Sequence, residues 1–130
     1  MIATPIGALA GAFMMWCMYR SGMLAERSGL AVLLAAIASF YPIFAVQSGD
    51  QADIILHLVI FTAFILLAVA GFRRGAYLIA GGLIAHGVFD IGLMVLGAPG
   101  PVWWPAFCAA VDIAAGTVLI RLQQTRKVPL

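Results

Sequence analysis

Long stretches without a charged side chain constrain this sequence more than any motif in it. Met1 to Tyr19, Ser28 to Gly49 and Ile54 to Phe72 contain no Asp, Glu, Lys or Arg. From Gly75 to Ile120 only Asp90 and Asp112 interrupt the apolar run. About 20 consecutive apolar residues cross the hydrocarbon core of a bilayer as a helix, the conformation that satisfies its own backbone there. The last stretch is long enough for two spans, and Gly97-Ala98-Pro99-Gly100-Pro101 parts them because neither proline continues a helix. The expected architecture is all-α: one integral membrane bundle over residues 1–130, with five transmembrane helices near 4–19, 29–47, 53–72, 76–96 and 103–121. The first of these is the shortest.

Composition agrees. Only 9% of the residues are charged, against about 25% in a soluble domain, and twelve charges do not cover a water-soluble globule. Seven scattered basic residues form no phosphate-tracking patch, so no nucleic-acid partner is expected. Two cysteines do not make a disulfide-stapled secreted module. Cys17 and Cys108 are expected near opposite faces of the membrane, unpaired.

The basic residues orient the bundle. Arg20, Arg27, Arg73, Arg74, Arg121, Arg126 and Lys127 all fall after span 1, after span 3 or in the C-terminal tail. With five spans these regions share one face, and the other face has no Lys or Arg. The positive-inside rule then places the C-terminus in the cytoplasm and the N-terminus outside, as in a multi-pass protein of a bacterial inner membrane. Met1 and its neighbours lack the basic n-region of a cleavable signal peptide. Gly7 and Gly11 have the GxxxG spacing that lets a second helix approach. Gly81, Gly82, Ala85 and Gly87 in span 4, and Ala109, Ala110, Ala114, Ala115 and Gly116 in span 5, offer further small surfaces.

Five helices leave little room for a wide pore, so the polar residues inside them carry the functional reading. An acidic side chain near a helix centre costs about 2.5–3.5 kcal/mol on insertion scales and normally faces the bundle interior. His86 and Asp90, Asp53 and His57, and Cys108 and Asp112 are each four apart and share a helix face. Counted at 1.5 Å per residue, these groups, with Tyr41 and Ser39, all fall in the outer half of the bilayer. His86, Asp90, Asp112 and His57 are the candidate catalytic residues. Tyr41, Ser39, Trp103, Trp104, Cys108 and Asp53 are the candidate ligand-binding residues. Plainer roles compete: a His–Asp clasp between helices, Asp53 capping span 3, the two tryptophans as interfacial anchors, Cys108 as packing. Pro42 is expected to kink span 2 and free the Ala38 carbonyl.

His86-Gly-Val-Phe-Asp90 followed by Pro101-Val-Trp-Trp-Pro105-Ala-Phe-Cys108-Ala-Ala-Val-Asp112 resembles a group of small bacterial integral membrane proteins. Their pattern is H-G-x-x-D, then P-x-W-W/Y-P-x-F-C-x-x-x-D, and Tyr41-Pro42 with Ser48-Gly49 is similar to their earlier segment. The group often carries a further His three residues after the first Asp, where this chain has Leu93. The resemblance implies that these residues form a site; it implies no particular reaction.

An imidazole beside carboxylates in a low-dielectric interior suits general acid–base catalysis. The leading reading is an acid–base enzyme, an isomerase, cyclase or hydrolase, acting on a membrane lipid or other lipophilic small molecule. No nucleophile motif such as G-x-S-x-G is present. The alternatives are a proton- or cation-coupled transporter and a structural membrane subunit. No cofactor is required, and no metal signature such as H-E-x-x-H occurs, although His57, His86, Asp90, Asp112 and Cys108 include enough donors for zinc or another divalent ion. Homo-oligomerisation is compatible with every reading.

Overall fold

In the computed structural model, which describes residues 2–125, the apolar runs are helices. They are α1 (Ala3–Arg20), α2 (Arg27–Ala38), α3 (Phe40–Ser48), α4 (Gln51–Arg74), α5 (Ala76–Leu96) and α6 (Trp104–Gln124), with one 3-10 turn at Met23–Ala25. α2 and α3 together form the second span, Arg27–Ser48. That span, α4, α5 and α6 are each long and apolar enough to cross a membrane. Pro42 has no N–H to donate into the helix, and the helix breaks at Ser39, whose hydroxyl turns back to the Ala36 carbonyl at 2.7 Å. The interruption falls one turn before the proline, and Ser39 itself keeps helical φ and ψ.

Glycines set the packing. A Cβ at Gly7 would collide with the Phe107 carbonyl oxygen, and one at Gly11 with that of Val111. Rising numbers on both sides mean that α1 and α6 run parallel in close contact, which identifies α6 as the helix that the Gly7 and Gly11 spacing admits. On the opposite side of α6, a Cβ at Gly116 would sit 2.9 Å from the Ala80 carbonyl, and one at Gly87 3.0 Å from that of Ala109. Here the numbers run in opposite senses: α5 and α6 are antiparallel. Not every small residue takes part. Gly81 has nothing within 4 Å of a Cβ position, and Ala85 is exposed, so both point away from the bundle although their neighbours Gly82 and His86 point in.

α4 packs against α2, α3 and α5, and α5 also meets α2. The Arg27 guanidinium donates to the Phe72 and Arg73 carbonyls at 3.3 and 3.4 Å, fixing the start of α2 against the end of α4. Arg20, Arg27, Arg73, Arg74 and Arg121 consequently share one end of the bundle. Arg126 and Lys127 lie outside the described residues. At the other end Asp50, rather than Asp53, caps α4: its carboxylate accepts from the Ala52 and Asp53 N–H groups at 2.8 and 3.1 Å. Three residues earlier in the chain, Asp50 stands at the N-cap, where its side chain accepts from the orphan donors that Asp53 cannot reach from within the first turn. The α5–α6 loop leans on α3 at this end, with Gly100 against the Phe44 ring.

Candidate functional site

His86 lies ten residues from each end of α5, about 15 Å from either terminus, in the narrow contact that Gly87 of α5 and Gly116 of α6 allow between the two helices. That close approach brings Asp112 of α6 to the imidazole: its Oδ2 is 2.7 Å from His86 Nδ1. Asp90, one turn along α5, places Oδ2 3.4 Å from the same nitrogen. All three side chains are at most 1% exposed. One imidazole nitrogen is thus hydrogen-bonded to the carboxylate of one helix and lies within ion-pair distance of that of another.

The third helix at the site is α3. Tyr41 donates its hydroxyl to Asp90 Oδ1 at 2.7 Å. Its ring stacks on His57 of α4, with centroids 5.5 Å apart and planes 22° apart. Phe64 meets the face of His86 edge-on at 4.8 Å, and Phe89 closes another side at 5.9 Å. Neither phenylalanine was among the candidates. The signal was there: Phe64 is seven residues after His57 on α4, two turns along the same face, and Phe89 is three after His86. Cys108 completes the group, its Sγ 3.9 Å from Asp112 Oδ2.

Two features define what this centre can do. Asp90 Oδ2 and Asp112 Oδ1 are buried without a hydrogen-bond partner, so acceptor capacity remains inside the site. The charges also fail to balance: a protonated His86 offsets only one of two carboxylates, and no Lys or Arg lies within reach among the described residues. A buried negative charge is stable only with a further proton or a bound cation. His86, Asp90, Cys108 and Asp112 each offer one ligand atom within 4.8 Å of the others, so a metal ion is one way to meet that requirement.

The structure brings together six of the ten candidates: His86, Asp90, Asp112, Tyr41, Cys108 and, through the Tyr41 ring, His57. The other four stand apart. Ser39 is occupied by its own helix. Trp103 is 53% exposed, while Trp104 packs on Phe40 and Phe44 at 4.7 and 5.3 Å. Asp53 lies with His57 on a separate cleft at the end of the bundle. Cys17 is exposed and Cys108 buried, both as free thiols. Comparison with models of known protein families, with curated proteins and with solved structures finds no match.

Proposed function

We propose that the protein is a membrane-embedded acid–base enzyme acting on a lipophilic small molecule, with its arginine-rich end in the cytoplasm. The observation that carries this reading is the buried His86 imidazole held at Nδ1 by Asp112, with Asp90 beside it. A carboxylate on Nδ1 fixes the tautomer and ring orientation and stabilises the imidazolium, leaving Nε2 to exchange a proton with a substrate. Tyr41 holds Asp90 in place, and the Phe64 and Phe89 rings keep water from the imidazole. Proton transfer to and from one carbon or oxygen of an apolar molecule is the chemistry such a site supports, whether the outcome is isomerisation, cyclisation or hydrolysis.

The test is conversion. Vesicles carrying the purified protein are loaded with a total lipid extract and followed by mass spectrometry. A lipid species should be consumed by the wild type and by Cys17→Ser, and not by His86→Ala or His86→Gln. Equal conversion by the His86 variants, or no species changed by the wild type, rejects the enzyme.

One observation favours a second reading: nitrogen, oxygen and sulfur donors within 4.8 Å form a set that zinc accepts. In that case His86 is a ligand and the metal supplies the acid–base chemistry. Protein purified without chelator should then carry about one zinc per chain, and Co²⁺ should produce a thiolate absorption band lost in Cys108→Ser. Metal-free protein that gives no Co²⁺ band leaves the His–Asp reading.

A further inference from the structure

A second polar site lies beyond Tyr41, at the end of the bundle away from the arginines. The first two turns of α4 and the last turn of α5 with its following loop enclose a cleft of about 430 Å³, lined by Asp53, Leu56, His57, Leu93, Leu96 and Gly97, among others. His57 is only 3% exposed, and its Nδ1 is buried without a partner. The other face of its ring is covered by Tyr41, whose hydroxyl holds Asp90. One aromatic layer separates the cleft from the His86 centre.

The cleft has a charge preference and an apolar rim. Asp53 makes no hydrogen bond or ion pair through its carboxylate among the described residues, whereas Asp50 is committed to the α4 cap. The described arginines are all at the opposite end. α5 ends here with no basic residue in its last turn, so the partial negative charge of its final carbonyls adds to that of Asp53. Leu56 and Leu96, 54% and 84% exposed, stand at the rim and continue into the lipid-facing surface.

We propose that this cleft binds the polar end of an amphiphilic amine. The ammonium pairs with the Asp53 carboxylate and donates a second hydrogen bond to His57 Nδ1, while the hydrocarbon tail leaves past Leu56 and Leu96 into the bilayer. As a binding site the cleft stands alone; as the place where a substrate is taken up, it rests on the acid–base reading of His86.

Isothermal titration of the protein in neutral, non-ionic micelles with dodecylamine, dodecanol and dodecanoate tests the proposal. Dodecylamine should bind saturably, at one per chain and about tenfold more tightly than dodecanol, as a charge-assisted hydrogen bond requires. Dodecanoate should not bind. Asp53→Asn should remove the preference for the amine, and His57→Gln should weaken amine binding; Cys17→Ser, at the opposite end of the bundle, should leave it unchanged. Asp53 is half-buried and its carboxylate makes no hydrogen bond among the described residues, so its amide variant is expected to melt as the wild type does. Equal affinity for amine and alcohol, or an amine preference that survives Asp53→Asn, overturns the proposal. Amine binding without any conversion in the vesicle assay removes the enzyme reading and leaves the cleft standing.

Discussion

The Tyr41 hydroxyl joins α3 to α5 through Asp90, in an interior where few other polar groups could take its place. Removing it strands one more carboxylate oxygen beside the already unpartnered Oδ2 of Asp90. Tyr41→Phe should therefore lower unfolding free energy by about 1–2 kcal/mol, read by denaturant unfolding in micelles. In an Asp90→Asn background the same change should cost measurably less, because the stranded group is no longer charged. A neutral Tyr41→Phe in the wild-type background contradicts this account. Asp112 should behave differently. Two carboxylates crowd one imidazole, so Asp112→Asn keeps the shape and removes the unbalanced charge. Its unfolding free energy should stay level or rise while conversion is lost, the signature of a site held together at a cost in stability. If His86→Ala, Asp90→Asn and Asp112→Asn all lose stability in parallel and no ligand, metal or conversion is found, the cluster is a structural clasp.

Between elements, the packing depends on a few glycines rather than on the many small residues of these helices. Gly7 and Gly11 seat α1 on the backbone of α6, and Gly87 and Gly116 bring α5 close enough to α6 for His86 to reach Asp112. Gly11→Leu has no room beside the Val111 carbonyl. It should cost about 1–3 kcal/mol by overpacking and expose α1 to protease at its ends. Gly81→Leu faces open space and should change stability by less than about 0.5 kcal/mol. Two glycines in similar runs of small residues thus have opposite expected outcomes, and a comparable loss at both positions would show that the helices pack otherwise.

Across the whole molecule, the alternating directions of α1, the α2–α3 pair, α4, α5 and α6 gather the five described arginines at one end and Asp50 and Asp53 at the other. On the proposed orientation, with the arginine end cytoplasmic, cysteines placed by Gly49→Cys and Ala98→Cys in a Cys17→Ser background, where the remaining Cys108 is buried, should react with a membrane-impermeant maleimide on intact cells. Ser21→Cys and Gly75→Cys should react only after permeabilisation. Labelling of Gly75→Cys on intact cells would invert the topology and place the amine cleft on the cytoplasmic side.

Much of this architecture was legible residue by residue because a bilayer judges a chain locally. A run of about twenty apolar residues must close its own backbone hydrogen bonds, so the helical runs and the end of the bundle at which each described arginine lies follow from the order of residues alone. The (i, i+4) pairs His86–Asp90 and Cys108–Asp112 are legible for the same reason, since helix geometry puts them on one face. Which of the small residues turn inward was not legible. Lipid is as apolar as a protein core, so hydrophobic periodicity does not distinguish Gly82, packed against Leu34 and Leu67, from Gly81, one residue earlier and facing outward. The contact of His86 with Asp112 across 26 residues, the hydroxyl of Tyr41 on Asp90, the Phe64 wall and the separation of Asp53 and His57 into a cleft of their own depend on how far apart the helices stand. Backbone contacts at a few glycines set those distances, and only the folded bundle contains them.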